Sequence, residues 1–240
     1  MGFACALVGL VACASAGVSG TGDDGPTIDA PTLTDGRSID APELDAPMID
    51  AGPVDVTLTQ TTSPGVGSSS SIACGNNADG TTAENSWYRV FRLADANITN
   101  GLRVTAVTFG VQESQGTPAV QVKIGTYSGT VVPPPAQLDA ALISPITAVT
   151  FTVPNTASTA PTSVTVPITA NIPALSQLVV EVFSPNLAGT SKYFYLGGNS
   201  GGETKPGYLR APTCTTPQPK STVALGFPTS NLVISVSGTH

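Results

Sequence analysis

From Val54 onward, apolar and polar residues alternate one for one, the period of a half-buried β-strand. Val54, Val56 and Leu58 share one face, with Asp55, Thr57 and Thr59 opposite. The pattern recurs at Val107-Phe109-Val111, Val120-Val122-Ile124, Val164-Val166-Ile168, Leu178-Val180-Val182 and Leu232-Ile234-Val236. Thr and Val dominate these runs and suit a pleated surface. Turn signals separate them: Ser63-Pro64-Gly65, Asp79-Gly80, Asn100-Gly101, Ser128-Gly129, Pro133-Pro134-Pro135 and the glycine-rich Gly197–Gly202. No stretch of a dozen residues carries a helical period. The expectation is an all-β fold, an antiparallel β-sandwich of about nine or ten strands over residues 54–240.

Before that point the pattern is different. Gly2–Ala16 is apolar but shorter than the ~20 residues that span a bilayer. It contains Leu10-Val11-Ala12-Cys13, the form of a bacterial lipoprotein signal, although no Lys or Arg precedes the apolar run. The expected organisation is a signal peptide over 1–12, a lipidated Cys13 opening a linker over 13–53, and the sandwich over 54–240. Ala14 follows the cysteine where an Asp would favour inner-membrane retention, so the expected address is the outer membrane. The alternative is an ordinary cleaved signal and a secreted protein. The linker repeats Ile28-Asp29-Ala30-Pro31, Ile39-Asp40-Ala41-Pro42, Leu44-Asp45-Ala46-Pro47 and Ile49-Asp50-Ala51-Gly52. Proline and mutually repelling aspartates predict an extended, disordered acidic stalk without a core.

Charge sharpens the division. The chain's net charge is −7, and that balance belongs to the stalk, which carries eight acids against Arg37 alone. The remaining eight acids face eight bases from Val54 on. Neither part has the basic stripe a nucleic-acid partner requires.

Four cysteines fit an oxidising compartment. Cys5 falls in the signal and Cys13 takes the lipid, leaving Cys74 and Cys214 to form one disulfide. The alternative is two buried thiols.

Trp87-Tyr88-Arg89-Val90-Phe91-Arg92-Leu93, Leu102–Val111 and the run Gly197–Cys214, with a last strand ending at Gly238, resemble an accessory β-sandwich module of secreted and surface proteins of Gram-negative bacteria. The resemblance covers residues 54–238. It implies a non-catalytic, jelly-roll-like module; no catalytic domain accompanies it here.

The chemistry is read mostly by exclusion. The sole histidine is His240, at a chain end expected to fray, which removes Ser-His-Asp and Cys-His catalysis and His-based zinc. No phosphate-binding Gly-x-x-x-x-Gly-Lys loop exists. Glu84, Glu113, Glu181 and Glu203 are the carboxylates a glycosidase would draw on, with Glu181 read as a solvated strand residue. Asn77 and Asp79 in one turn, with Asn199 and Glu203 in a second, offer hard oxygens for calcium, a disulfide drawing the two turns together. The alternative is that these side chains bond local backbone, as in most turns. Among Trp87, Tyr88, Tyr127, Tyr193, Tyr195 and Tyr208, the pair Tyr193 and Tyr195 shares a strand face opposite Phe194 and Leu196. It is expected either to stack on sugar or anchor a protein, or to pack across strands. The functional expectation is a membrane-anchored, non-catalytic surface module that binds a carbohydrate or protein partner. Its rivals are a passive display component and a carboxylate-based hydrolase.

Overall fold

The computed structural model describes residues 52–240. The signal, Cys13 and the acidic repeat up to Ala51 lie outside the described residues. Two antiparallel sheets face one another and share one core, as alternation predicts. The strands are β1 (Asp55–Thr59), β2 (Gly75–Asn76), β3 (Thr81–Thr82), β4 (Asn85–Arg92), β5 (Leu102–Gln115), β6 (Ala119–Tyr127), β7 (Ile143–Thr152) and β8 (Thr162–Ile172). They continue with β9 (Gln177–Ser184), β10 (Tyr193–Leu196), β11 (Gly198–Asn199), β12 (Tyr208–Ala211), β13 (Thr216–Ser221), β14 (Asn231–Leu232) and β15 (Ile234–Thr239). Among the described residues fifteen strands replace the expected nine or ten, and four of the extra ones are two-residue strands that form two pairings.

One sheet has the order β13-β12-β4-β9-β6-β7. The other runs β1-β15-β5-β8, and β10 continues along β5 beyond the end of β15. β1 lies antiparallel to β15. Val54 and His240 exchange both backbone hydrogen bonds, so the C-terminus is held rather than frayed, although the His240 side chain is exposed.

The predicted inward rows meet between the sheets. Trp87 and Phe91 of β4, Val122 of β6 and Val180 of β9 pack against Val107 and Phe109 of β5, Ile168 of β8 and Ile234 of β15. Trp87 meets Phe194 of β10 edge to face at 5.5 Å, joining the two sheets through their aromatics. Its Nε1–H donates to the Ile72 carbonyl at 2.7 Å, so the one polar atom of this fully buried ring is satisfied.

Alternation predicts a single core face for β4, yet seven of its eight residues are buried. The cause is the connection between β6 and β7, which crosses the outside of the six-stranded sheet as a strap. Leu138 of the strap is fully buried against Tyr88, Val90, Tyr127, Val179 and Tyr208. The strap is fixed along β13: Leu138 N–H donates to Pro219, Ser221 N–H to Ala136, and Gln137 bridges Lys220. The cover is dry enough that burial pushes the Tyr208 phenol up to about 12.

The Cys74–Cys214 disulfide forms, with Cα atoms 5.8 Å apart across a sequence separation of 140. Closing a loop that long removes up to ~5 kcal/mol of unfolded-state entropy. Cys214 lies beyond β12 in the turn Pro212–Cys214, while Asn199 and Glu203 precede that strand.

Candidate functional site

The inward row of β4 holds Trp87, Arg89 and Phe91, so an arginine stands where an apolar residue belongs. Arg89 is fully buried. Its Nε and Nη2 donate to the Leu232 carbonyl at 3.2 and 2.6 Å, and Nη1 donates to the Lys205 carbonyl at 2.6 Å. Nη2 also lies 2.8 Å from Glu203 Oε2. Oε2 has no aligned hydrogen bond, so this is a contact of charges. Burial lowers the Arg89 pKa from its ordinary value, opposed by the Glu203 charge. Burial raises the Glu203 carboxyl, and Arg89 with the Gly207 N–H pulls less strongly the other way. Guanidinium remains charged in proteins. The pair is thus a tether, binding β4 to β14 and to the loop between β11 and β12.

Further links fix that loop. Asn199 Nδ2 donates to Ser63 and Gly65 at 2.8 and 2.9 Å. Its Oδ1 accepts from Gly201 N–H at 3.0 Å and from Asn231 Nδ2 at 3.4 Å. Thr62 N–H donates to Gly202, and Thr204 N–H to Gln60. Gly202 has φ +101, a conformation that side chains rarely adopt and glycine adopts freely. The bend over Ser200–Gly202 is therefore built into the backbone.

Beside this loop opens a groove of about 730 Å³. Pro134 and Pro135 of the strap form one wall, with Pro206 and Pro228 also lining it. Ser200, Glu203, Thr204 and Lys205 contribute polar groups from the tethered loop, and Ser221, Thr229 and Asn231 contribute from the β13–β14 side. A second hollow of about 540 Å³ shares Thr204 and Lys205 and reaches Arg92 and Asp95. Those two pair at 2.7 Å on the surface. Pinned loops around a mostly apolar, proline-walled cleft with a few polar groups can hold a ligand without paying much ordering entropy.

Tyr193 and Tyr195 stand side by side on β10, opposite the buried Phe194 and Leu196, as expected. Their rings are 5.8 Å apart and tilted by 51°. Tyr193 donates its hydroxyl to Glu113 Oε1 at 2.9 Å. Both phenols are shifted up, first by burial and then by Glu113.

The four residues of the calcium expectation fall into two separate hydrogen-bonded sets. Asp79 Oδ1 accepts from the N–H and hydroxyl of Thr81, and Oδ2 accepts from Gly189 N–H at 2.8 Å, which lowers its pKa. Asn77 is exposed beside it. Asn199 and Glu203 belong to the tethered loop, and no residue partners both sets. Among the described residues no three His, Cys, Asp or Glu side chains converge.

The glutamates read as hydrolase candidates each have a partner: Glu84 with Arg210 at 2.7 Å, Glu181 with Lys123 at 3.1 Å, Glu113 with Tyr193 and Glu203 with Arg89. Glu181 is not solvated but half-buried, because Lys123 on neighbouring β6 covers it while also lying 4.2 Å over the Phe183 ring.

Sequence reasoning missed the groove. Its strongest signal was Arg89 between Trp87 and Phe91, since an arginine on an apolar face needs a buried partner. Comparison with protein-family models, curated proteins and solved structures finds no match for this chain.

Proposed function

We propose that this chain is a non-catalytic binding module of the bacterial cell envelope. Cys13 carries a lipid, the acidic segment serves as a stalk, and the sandwich presents the groove around Lys205 to a carbohydrate or protein partner. The observation that carries this reading is the tethering of the groove's loop. A fully buried arginine, Asn199 and backbone links from Gln60 and Thr62 all hold one short segment. Sandwich stability alone does not call for so much fixation of a surface loop, whereas a preformed site does. The non-catalytic part is supported by the occupied glutamates and by the exposure of the sole imidazole.

A glycan array probed with the full chain tests the groove. Specific retention is expected, and Ser200→Trp, an exposed position on the rim, should abolish it without touching the Arg89 tether. Retention that survives this variant moves the site elsewhere, and a blank array leaves a protein partner or the passive display role. The Tyr193–Tyr195 pair supports a second reading, because two adjacent phenols beside a carboxylate can stack on a sugar ring. Loss of retention in Tyr193→Ala or Tyr195→Ala, with Ser200→Trp unaffected, would favour it. Metabolic labelling with a palmitate analogue tests the anchor: label is expected on the wild type and absent from Cys13→Ser.

A further inference from the structure

Resting on the groove reading above, we infer that the groove selects a carboxylate-bearing glycan and that Lys205 is the residue that selects it. The argument begins with charge. Glu203 is compensated by Arg89, and Arg92 by Asp95. Lys205 lines the groove and the hollow beside it, and among the described residues its ammonium lies within 4.0 Å of no carboxylate. Among the described residues, the groove therefore carries one positive charge without a paired carboxylate. Its root is fixed, because Arg89 holds the Lys205 carbonyl at 2.6 Å. A half-buried cation on a fixed backbone favours an anionic group and penalises a neutral one that displaces its water.

The surrounding groups choose the class of anion. Ser200 and Thr229 present exposed hydroxyls, and the Thr204 hydroxyl, which donates to the Gln60 carbonyl at 3.5 Å, can still accept. Ser221 accepts from Ala224 N–H and keeps its own proton to donate. Hydroxyls that both donate and accept match sugar hydroxyls. An acidic peptide fits less well, because four of the lining residues are prolines with no N–H to offer its backbone. The edge of β13, which lines the groove through Ser221, is already occupied by strap residues 136–138. A peptide would find no ladder to extend.

The test measures retention of the full chain on polygalacturonate and alginate, each beside its methyl ester, which keeps the sugar backbone and removes the charge. Dextran serves as the neutral glycan and polyglutamate as the acidic peptide. The expected result is binding to the uronates, weakened about tenfold in the esters and by raised salt. Lys205→Met should lower uronate binding to the ester level, and Lys205→Arg should restore it. An unchanged melting temperature in both variants separates lost contact from lost fold. Equal binding of acid and ester, uronate binding that survives Lys205→Met, or preference for dextran or polyglutamate would overturn the inference while leaving the binding module standing. Retention on none of these polymers, together with a blank glycan array, would overturn the inference and the carbohydrate reading of the groove together, leaving a protein partner or the passive display role.

Discussion

The two sheets differ on their outer faces. The five-stranded sheet keeps its outside in water along β8, where Val166, Ile168, Ala170 and Ile172 are buried while Thr165, Pro167, Thr169 and Asn171 are exposed. The six-stranded sheet has its middle covered by the strap, so Tyr88 and Val90 of β4 and Val179 of β9 are buried outside as well as Trp87 and Val180 inside. Strict alternation describes a strand with one wet face. The groove grows on the sheet that lacks this simplicity. The strap that seals the outer face also carries Pro134 and Pro135 to the groove, and the inward arginine of the covered strand holds the opposite loop.

The largest test of this contrast removes the tether. Arg89→Ala leaves Glu203 without its cation and the Leu232 and Lys205 carbonyls without donors. A loss of about 3–5 kcal/mol is expected in urea denaturation. A loss under about 1 kcal/mol would mean the tether is dispensable and the loop is held by Asn199 and the backbone alone.

The strap comes next. Leu138→Ala, at a fully buried position, should cost about 2–4 kcal/mol. It should also speed proteolysis between Ser128 and Leu142 while the five-stranded sheet stays protected from hydrogen exchange. Val179→Thr buries a hydroxyl beneath the strap and should cost about 1–3 kcal/mol. If it costs nothing, the strap does not exclude water.

A smaller effect is expected from pH. Burial leaves the folded Glu203 carboxyl with a raised pKa, so the folded state holds this proton more tightly than the unfolded state does. The resulting stability is complete below the ordinary carboxylate value of 4.5 and is lost as pH rises through the raised one. Wild-type stability should therefore decline as pH rises from about 4.5 in a way that Glu203→Gln does not. Parallel curves for the two proteins would show that Arg89 compensates the carboxylate fully.

Much of the fold was legible because sheets with one wet face write period two into the chain. Val164–Ile168 reads correctly on that rule alone, whereas Leu232–Val236 is broken at the buried Val233 into β14 and β15, which belong to different sheets; the cysteine count led to the Cys74–Cys214 bridge. β13 was hidden because Pro217 and Pro219 interrupt its pattern, and prolines are tolerated there because it is an edge strand, joined on its open side by the strap. The tyrosine pair was legible as two residues on one face. The groove was not, since its walls come from segments near residues 134, 203 and 229 that only tertiary structure brings together. Asn199 and Glu203 attracted notice as oxygen donors, and both prove to hold the loop in place, one through its amide and one through a buried cation.

The smallest expected effect completes the comparison between the faces. Thr165 on β8 and Thr108 on β5 share a hydroxyl hydrogen bond of 2.8 Å on the wet side of the five-stranded sheet. Water replaces such a bond at little cost, and valine keeps the β-branched shape that suits the strand. Thr165→Val should therefore shift stability by no more than about 0.5 kcal/mol. It is the reverse of Val179→Thr, an exchange of the same two nearly isosteric side chains on the outer face of the other sheet. If both exchanges cost the same in chemical denaturation, the outer faces are equally solvated and the strap is not a seal. A cost confined to Val179→Thr locates the dry interface under Leu138 and leaves the Thr165 face free of any structural demand.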